Sequence, residues 1–291
     1  MDKEFLYDML RTPSVSGHEI ALQKKVIQHM EPVADEILTD ATGDVISVVN
    51  PHAEAKVLLC GHIDEIGFLV TRICEDGMLK VTKAGGIHPV LYLGTHVQVV
   101  CASQVLPGVV VTNRTLESKE QVQVEDLFID LGFDSKADCE RYVSIGDPVC
   151  AASEFTELAQ GKLAGRALDD RIGAFIILEA LKKAKQKQAA CGIYAATTCG
   201  EETTMRGAYH VATRVQPSCA LIVDVTFASD YPGVSGDASG TVKLGGGAVL
   251  CSNSMINKPL NAALAAIAEE HQLDVQWEVF AGKAGTDGDV V

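Results

Sequence analysis

Four short stretches carry side chains that do chemistry only if the fold gathers them. In Gly61-His62-Ile63-Asp64 an imidazole and a carboxylate stand one residue apart behind the apolar run VLLC. Alternate residues of an extended segment face the same side, so Asp64 can orient the His62 ring while the other ring nitrogen binds a metal. Asp169 and Asp170 stand side by side at the start of a long helical pattern. Glu201 and Glu202 follow the buried-looking run GIYAATT, where an isolated buried carboxylate would neutralise itself. Asp224 follows ALIV on a strand expected to be central in its sheet, a position that calls for a counter-ion. Taken singly, the first three have plainer explanations: a structural hydrogen bond for His62, the helix dipole for the aspartates, a cap for the glutamates. Taken together, one imidazole and several carboxylates suit zinc, cobalt or manganese in a hydrolytic two-metal site. In such a site one carboxylate bridges the ions and another, outside the ligand set, takes a proton from water.

The elements around these residues are arranged to bring them together. Apolar spacing predicts helices over 2–12 and 19–31, with Ser14 or Ser16 available to cap the second. ILTD and VISVVN flank the turn Thr42-Gly43-Asp44 and read as a hairpin, and AKVLLCGHID reads as a buried strand that ends in polar residues. From 68 to 159 the texture changes to short β runs, such as FLVTRI, HVQVVCA and DPVCAAS, with one short helix in SKADCERYV. After Gly161 a long helix, the strand GIYAATT, the helix RGAYHVATRV and the strand SCALIVDVT alternate. That order argues for an α/β sheet covered on both faces, with function at the carboxyl ends of its strands. The expected organisation is a catalytic domain in two parts, 1–67 and 160–291, around a β-rich insert at 68–159.

Bulk properties remove several classes of function. The formal charge of −15 repels nucleic acid and anionic lipid. No run approaches the ~18 uninterrupted apolar residues of a membrane helix. Nine cysteines, an odd number without CxxC spacing, fit a reducing cytoplasm better than a disulfide framework or a zinc–thiolate cluster. The Gly-rich patches lack the strand-GxGxxG-helix order of a nucleotide loop, and no serine sits in a nucleophile elbow. A single Trp offers little for stacking on a polysaccharide.

GHIDEIGF, ALDDRIG, GEETTMRGA, VDVTFASDYPG, INKPL and AGKAGTDGD occur in an order and spacing that resembles the glutamyl and deblocking aminopeptidases. These are co-catalytic metallopeptidases; some members form tetrahedral dodecamers, and some were once labelled endoglucanases. The resemblance runs from about residue 3 to the last residue. It implies a three-layer zinc-peptidase-like α/β domain with a central mixed sheet, and an inserted all-β dimerisation domain. By the same resemblance His62 and Glu202 hold one divalent ion, Asp224 helps to hold a second, and Asp169 bridges them. Glu201 becomes the general base and Asp64 the partner that orients His62. Zinc or cobalt is the expected metal, with manganese as a further option, and the expected substrates are peptides with a free N-terminus. A homo-oligomer of dimer units follows, with a dodecamer as its larger form. The family also places a final His ligand beyond the GTDGD segment; none occurs between there and Val291, and the sequence given is expected to be incomplete. Two other readings stay open: a related metal hydrolase acting on N-acyl amino acids, and an inactive scaffold subunit.

Overall fold

The computed structural model describes residues 2–112, 122–152, 155–236 and 239–291. They form two compact units, Met1–Asp224 and Val225–Val291. In the first, helices α1 (Lys3–Arg11) and α2 (Ile20–Met30) lead to strands β1 (Glu36–Thr39), β2 (Val45–Val49) and β3 (Lys56–His62). Strands β4 (Gly67–Ile73), β5 (Leu79–Ala84), β6 (His96–Val100), β7 (Val105–Thr112), β8 (Leu127–Asp130) and β9 (Pro148–Ala151) follow, with the short helix α3 (Lys136–Cys139) before β9. A two-residue ladder, β10 (Thr156–Glu157) with β11 (Leu163–Ala164), precedes α4 (Leu168–Gln186) and β12 (Gly192–Thr198). Then come α5 (Glu201–Thr204), α6 (Arg206–Val215) and β13 (Cys219–Ile222).

The main sheet has the order β1-β2-β12-β3-β13 and is mixed. The β1–β2 hairpin is antiparallel and so is β2 on β12, whereas β12, β3 and β13 run parallel. Every residue of β12 is buried, as expected for a strand with both faces covered. Leu59, Ile193 and Ala195 join Met9 of α1, Leu22 and Val26 of α2 and Phe175, Leu178 and Leu181 of α4 in one core cluster. Each large aliphatic side chain so buried contributes about 1.5–3 kcal/mol relative to exposure. Helix α6 packs against β12 and β3, burying Ala208, Val211 and Val215.

Strands β4 to β9 close into a barrel in the order β4-β5-β8-β7-β6-β9. Its core includes Phe68, Val70, Val97, Val99, Ile129 and Val149. Closure removes most unpaired strand edges from a stretch of short, turn-rich β runs. The connection NRTLESKEQ (113–121) lies outside the described residues. In the second unit β14 (Ala248–Ser252) and β15 (Val275–Val279) pair in parallel across α7 (Lys258–Glu270), which Asn257 caps through the Leu260 N–H at 3.1 Å.

Two expectations change. Neither serine caps α2: Ser14 Oγ donates to the Ile63 carbonyl and Ser16 Oγ bonds Thr203 Oγ1, while Glu19 occupies the cap position and its side chain accepts the Gly17 N–H rather than one from the helix. The polar side chains near a helix start are recruited by the neighbouring chain instead. Strand β13 is also an edge of its sheet rather than its centre, because β14 and β15 pair with each other in a separate sheet.

A bare backbone at Gly61 lets α4 approach β3. A Cβ there would stand 2.8 Å from the Ala174 nitrogen and 2.9 Å from the Gly173 carbonyl carbon, and neither is a side chain that can swing aside. We predict that Gly61→Ala lowers stability by about 1–3 kcal/mol through forced displacement of the helix, measured by denaturant unfolding.

Candidate metal centre

Strand register places the donors. In the parallel pair β12–β3, Thr198 lies opposite His62, so the residues that follow the two strands emerge at the same end of the sheet. In β13–β3, Ile222 lies opposite Cys60 and the Val223 N–H donates to the Cys60 carbonyl at 2.8 Å. Two residues on, Asp224 is therefore level with His62. The start of α4, held against β3 at Gly61, brings Asp169 and Asp170 to the same end.

His62 is 2% exposed. Its Nε2 lies 3.0 Å from Asp169 Oδ1, 3.8 Å from Glu201 Oε2 and 4.0 Å from Asp224 Oδ1. Two groups of three donors form among the described residues, each with its ligand atoms within 4.8 Å of one another: His62, Asp169 and Glu202, and His62, Asp170 and Asp224. Glu201 belongs to neither group. Asp170 had no role in the sequence reading, and the adjacent pair divides its work. Both residues depart from helical geometry, joined by a cis peptide, and the regular helix begins after them. Asp170 Oδ1 accepts the Gly173 N–H at 3.0 Å, a helix cap three residues on. Asp169 turns toward His62 instead.

Asp64 does more than the sequence assigns to it. Its Oδ1 is 3.4 Å from His62 Nδ1, longer than a good hydrogen bond. The same carboxylate accepts the backbone N–H groups of Glu201 at 3.1 Å and Glu202 at 3.3 Å. It thus fixes the first turn of α5 against the end of β3. Gly85 at φ +87° brings the loop after β5 against this turn, where a Cβ would lie 2.6 Å from Ile66 Cγ2 and 3.3 Å from Glu202 Oε2. Ile66 and Gly86, next to these contacts, line a cavity of about 730 Å³ together with Leu91, Tyr92 and two histidines, His88 and His96. That volume lies within the range of small-ligand sites.

The electrostatics are those of a site short of positive charge. Burial opposes protonation of His62, but the hydrogen bond to Asp169, followed by the nearby Asp64 and Asp170 carboxylates, pushes it up to about 12. Burial, followed by the charge of Asp169, raises Glu202 to about 7. Burial, followed by the charge of Asp224, holds Asp170 well above the carboxylate range, and its fully buried Oδ2 has no hydrogen-bond partner among the described residues. Protons here stand where a cation of higher charge would satisfy the same oxygens. One nitrogen donor, several carboxylates and an unpartnered buried oxygen fit divalent metal.

The family model of the M42 glutamyl aminopeptidases matches residues 43–291. The chain belongs to that family. It is 28% identical to the lysyl aminopeptidase of Pyrococcus furiosus over 302 residues, which spans 100% of this chain and 85% of that protein. The TET aminopeptidase of a marine sediment archaeon of the Thaumarchaeota superposes with a TM-score of 0.92 at 30% identity, covering 99% of this chain and 83% of that one. The Pyrococcus horikoshii TET1 peptidase, which can assemble into a tetrahedron or a large octahedral shell, gives a TM-score of 0.87 at 30% identity, covering 99% and 87%. Membership makes this chain a hydrolase of the aminopeptidase class with a mixed α/β fold.

Within that M42 frame, the fold gathers all six residues assigned a role from the sequence: His62, Asp64, Asp169, Glu201, Glu202 and Asp224. The pairing of donors is broader than the resemblance implied. His62 is common to both groups, and one ring nitrogen can serve only one ion. Sequence reasoning named Asp170 beside Asp169 without giving it a role, and it passed over Glu65, Arg166 and Arg171. The last three form a buried ion cluster, and their signal was a charge at the border of each apolar motif.

The protonation states set a measurable linkage. In metal-free protein Glu202 keeps its proton between its ordinary 4.5 and about 7, and His62 between 6.5 and about 12, where the unfolded chain has lost them. Both groups therefore make metal-free stability fall as pH rises through those windows. Zinc added to EDTA-stripped protein should therefore release protons, and more of them per chain at pH 6, where both His62 and Glu202 carry one, than at pH 8. Calorimetry in buffers of different ionisation enthalpy measures this, and zero release at pH 6 would contradict the assignment.

Proposed function

We propose that the protein removes N-terminal residues from peptides with two divalent ions held by His62, Asp169, Glu202 and Asp224. The observation that carries this reading is the convergence of those donors at one sheet end with Glu201 beside them but outside both donor groups. Glu201 is 8% exposed and its Oε2 is 3.8 Å from His62 Nε2. A carboxylate so placed can accept a proton from the attacking water and later deliver it to the leaving amine. The ions, when bound, act as Lewis acids toward a peptide carbonyl and acidify water. Asp169 is the bridging candidate, since it is the carboxylate nearest His62 Nε2 and an open one, at 57% side-chain exposure. Asp64 holds the backbone of both glutamates and so keeps the base and the Glu202 ligand in fixed relation. The cavity beside Glu202 offers room for the amino end of a peptide.

In this reading the mixed sheet with its helices is the three-layer catalytic core and the barrel is a dimerisation insert. The two similar TET enzymes support a homo-oligomer. Zinc or cobalt suits the donor set, with manganese next, and thiols rather than disulfides at all nine cysteines are compatible with a reducing cytoplasm. No helix among the described residues is long and apolar enough to cross a membrane.

The test is hydrolysis of amino acid p-nitroanilides by the full-length protein with added zinc or cobalt. EDTA should abolish it, and acetylated substrates should be refused. Absence of EDTA-sensitive hydrolysis across a panel of unblocked residues would defeat the proposal, and a preference for acetylated substrates would move the reading to an N-acyl amino acid hydrolase. Glu201→Gln should lower kcat about 10²–10⁴-fold while metal content stays unchanged. An unaltered rate would remove Glu201 from its role.

A further inference from the structure

Glu65 follows Asp64 directly and is 2% exposed. Arg166 Nη1 donates to both of its oxygens at 2.6 Å, and Arg166 Nη2 to the Arg11 carbonyl at 3.0 Å. Arg171 Nη2 reaches Oε1 at 2.8 Å, and the Ser14 N–H reaches the same oxygen at 2.9 Å. The two arginines lie three residues before and two residues after Asp169, so one carboxylate from the His62 segment fastens both flanks of the Asp169–Asp170 pair. Arg171 is fully buried and has a second anchorage: Nη1 donates to the carbonyls of Met9 at 2.6 Å and Leu10 at 3.2 Å, and Nη2 to Ser14 Oγ at 2.6 Å. Ser14 Oγ in turn donates to the Ile63 carbonyl at 2.7 Å. The end of α1 and the loop after it are therefore stitched between the two donor segments.

A buried ion cluster is weak evidence for stability, because apolar side chains of similar volume often serve a core as well. What apolar packing cannot supply is a directional link. A planar guanidinium held through two of its nitrogens fixes both distance and orientation. These two span the chain segments whose separation decides whether His62 and Asp169 meet. Two guanidinium groups against one carboxylate also leave a positive charge beside a carboxylate-rich site.

We infer that Glu65, clamped by Arg166 and Arg171, is a positioning residue that sets the spacing of the His62 and Asp169 segments and so tunes how tightly the site holds its cations. The inference rests on the two-metal reading above and adds a role that none of the donors performs. Partners of this kind, one step removed from the metal, typically change metal affinity 10–100-fold when altered.

The experiment measures zinc affinity of the full-length protein by competition with a chromophoric chelator, alongside denaturant unfolding. Glu65→Gln keeps the shape and removes the charge; Arg166→Lys keeps the charge and removes the planar, two-ended grip. Leu181→Ala, fully buried farther along α4 and outside the clamp, is the control for general destabilisation. Both clamp variants should bind zinc about 10–100-fold more weakly, while Leu181→Ala, though less stable, binds it as the unaltered protein does. Clamp variants with unaltered affinity would overturn the inference, and so would a Leu181→Ala variant that loses as much. Should Glu65→Gln fail to fold, Arg166→Lys decides alone. Unaltered protein that binds no zinc would instead bring down the two-metal reading, and this inference with it.

Discussion

Mutual repulsion among buried carboxylates is the constraint on which the rest of this structure depends. Asp64, Asp170 and Glu201 are buried, and Asp169, Glu202 and Asp224 stand close by around one imidazole. Carboxylates crowded out of water cannot all stay ionised unless positive charge is supplied. The metal-free chain answers with protons, on His62 to about 12 and on Glu202 to about 7. In the proposed reading, divalent cations would answer the same demand with more charge.

Rigid elements hold the repelling groups in place. Three parallel strands end together, and their register sets where the chain leaves the sheet. Gly61 allows α4 to lie against β3, and Asp64 ties down the start of α5 through two backbone bonds. Glu65 with its two arginines provides opposite charge close to the donors without occupying a ligand position. The labour is divided among neighbours in the chain: the segment 61–66 contributes a close-packing glycine, an imidazole, a carboxylate that holds the start of α5, a second carboxylate paired with two arginines, and a cavity wall.

The secondary structure was readable because each element has a clean local signature. Helical spacing in LDDRIGAFIILEALKKAKQ, the unbroken apolar run GIYAATT and the turn Thr42-Gly43-Asp44 each reappear as α4, β12 and the β1–β2 hairpin. Elements defined by distant partners were not readable in the same way. The edge position of β13 depends on which strands pair beyond it, and the fate of Ser14 depends on Ile63 and Arg171, far along the chain.

By itself the sequence determined the alternation of strands and helices, the family membership that its ordered motifs declare, and the residue types available for a metal. These are properties of local composition and spacing, and they survive without knowledge of any contact. Only the tertiary structure decided that Asp170 caps Gly173 while Asp169 faces His62, that one imidazole is common to two donor groups, and that Arg166 and Arg171 share a single carboxylate. The physical reason is that hydrogen bonds and charge interactions act over a few ångströms. Which groups come that close is set by strand register and by helix packing on the sheet, and neither is written in the neighbourhood of any one residue.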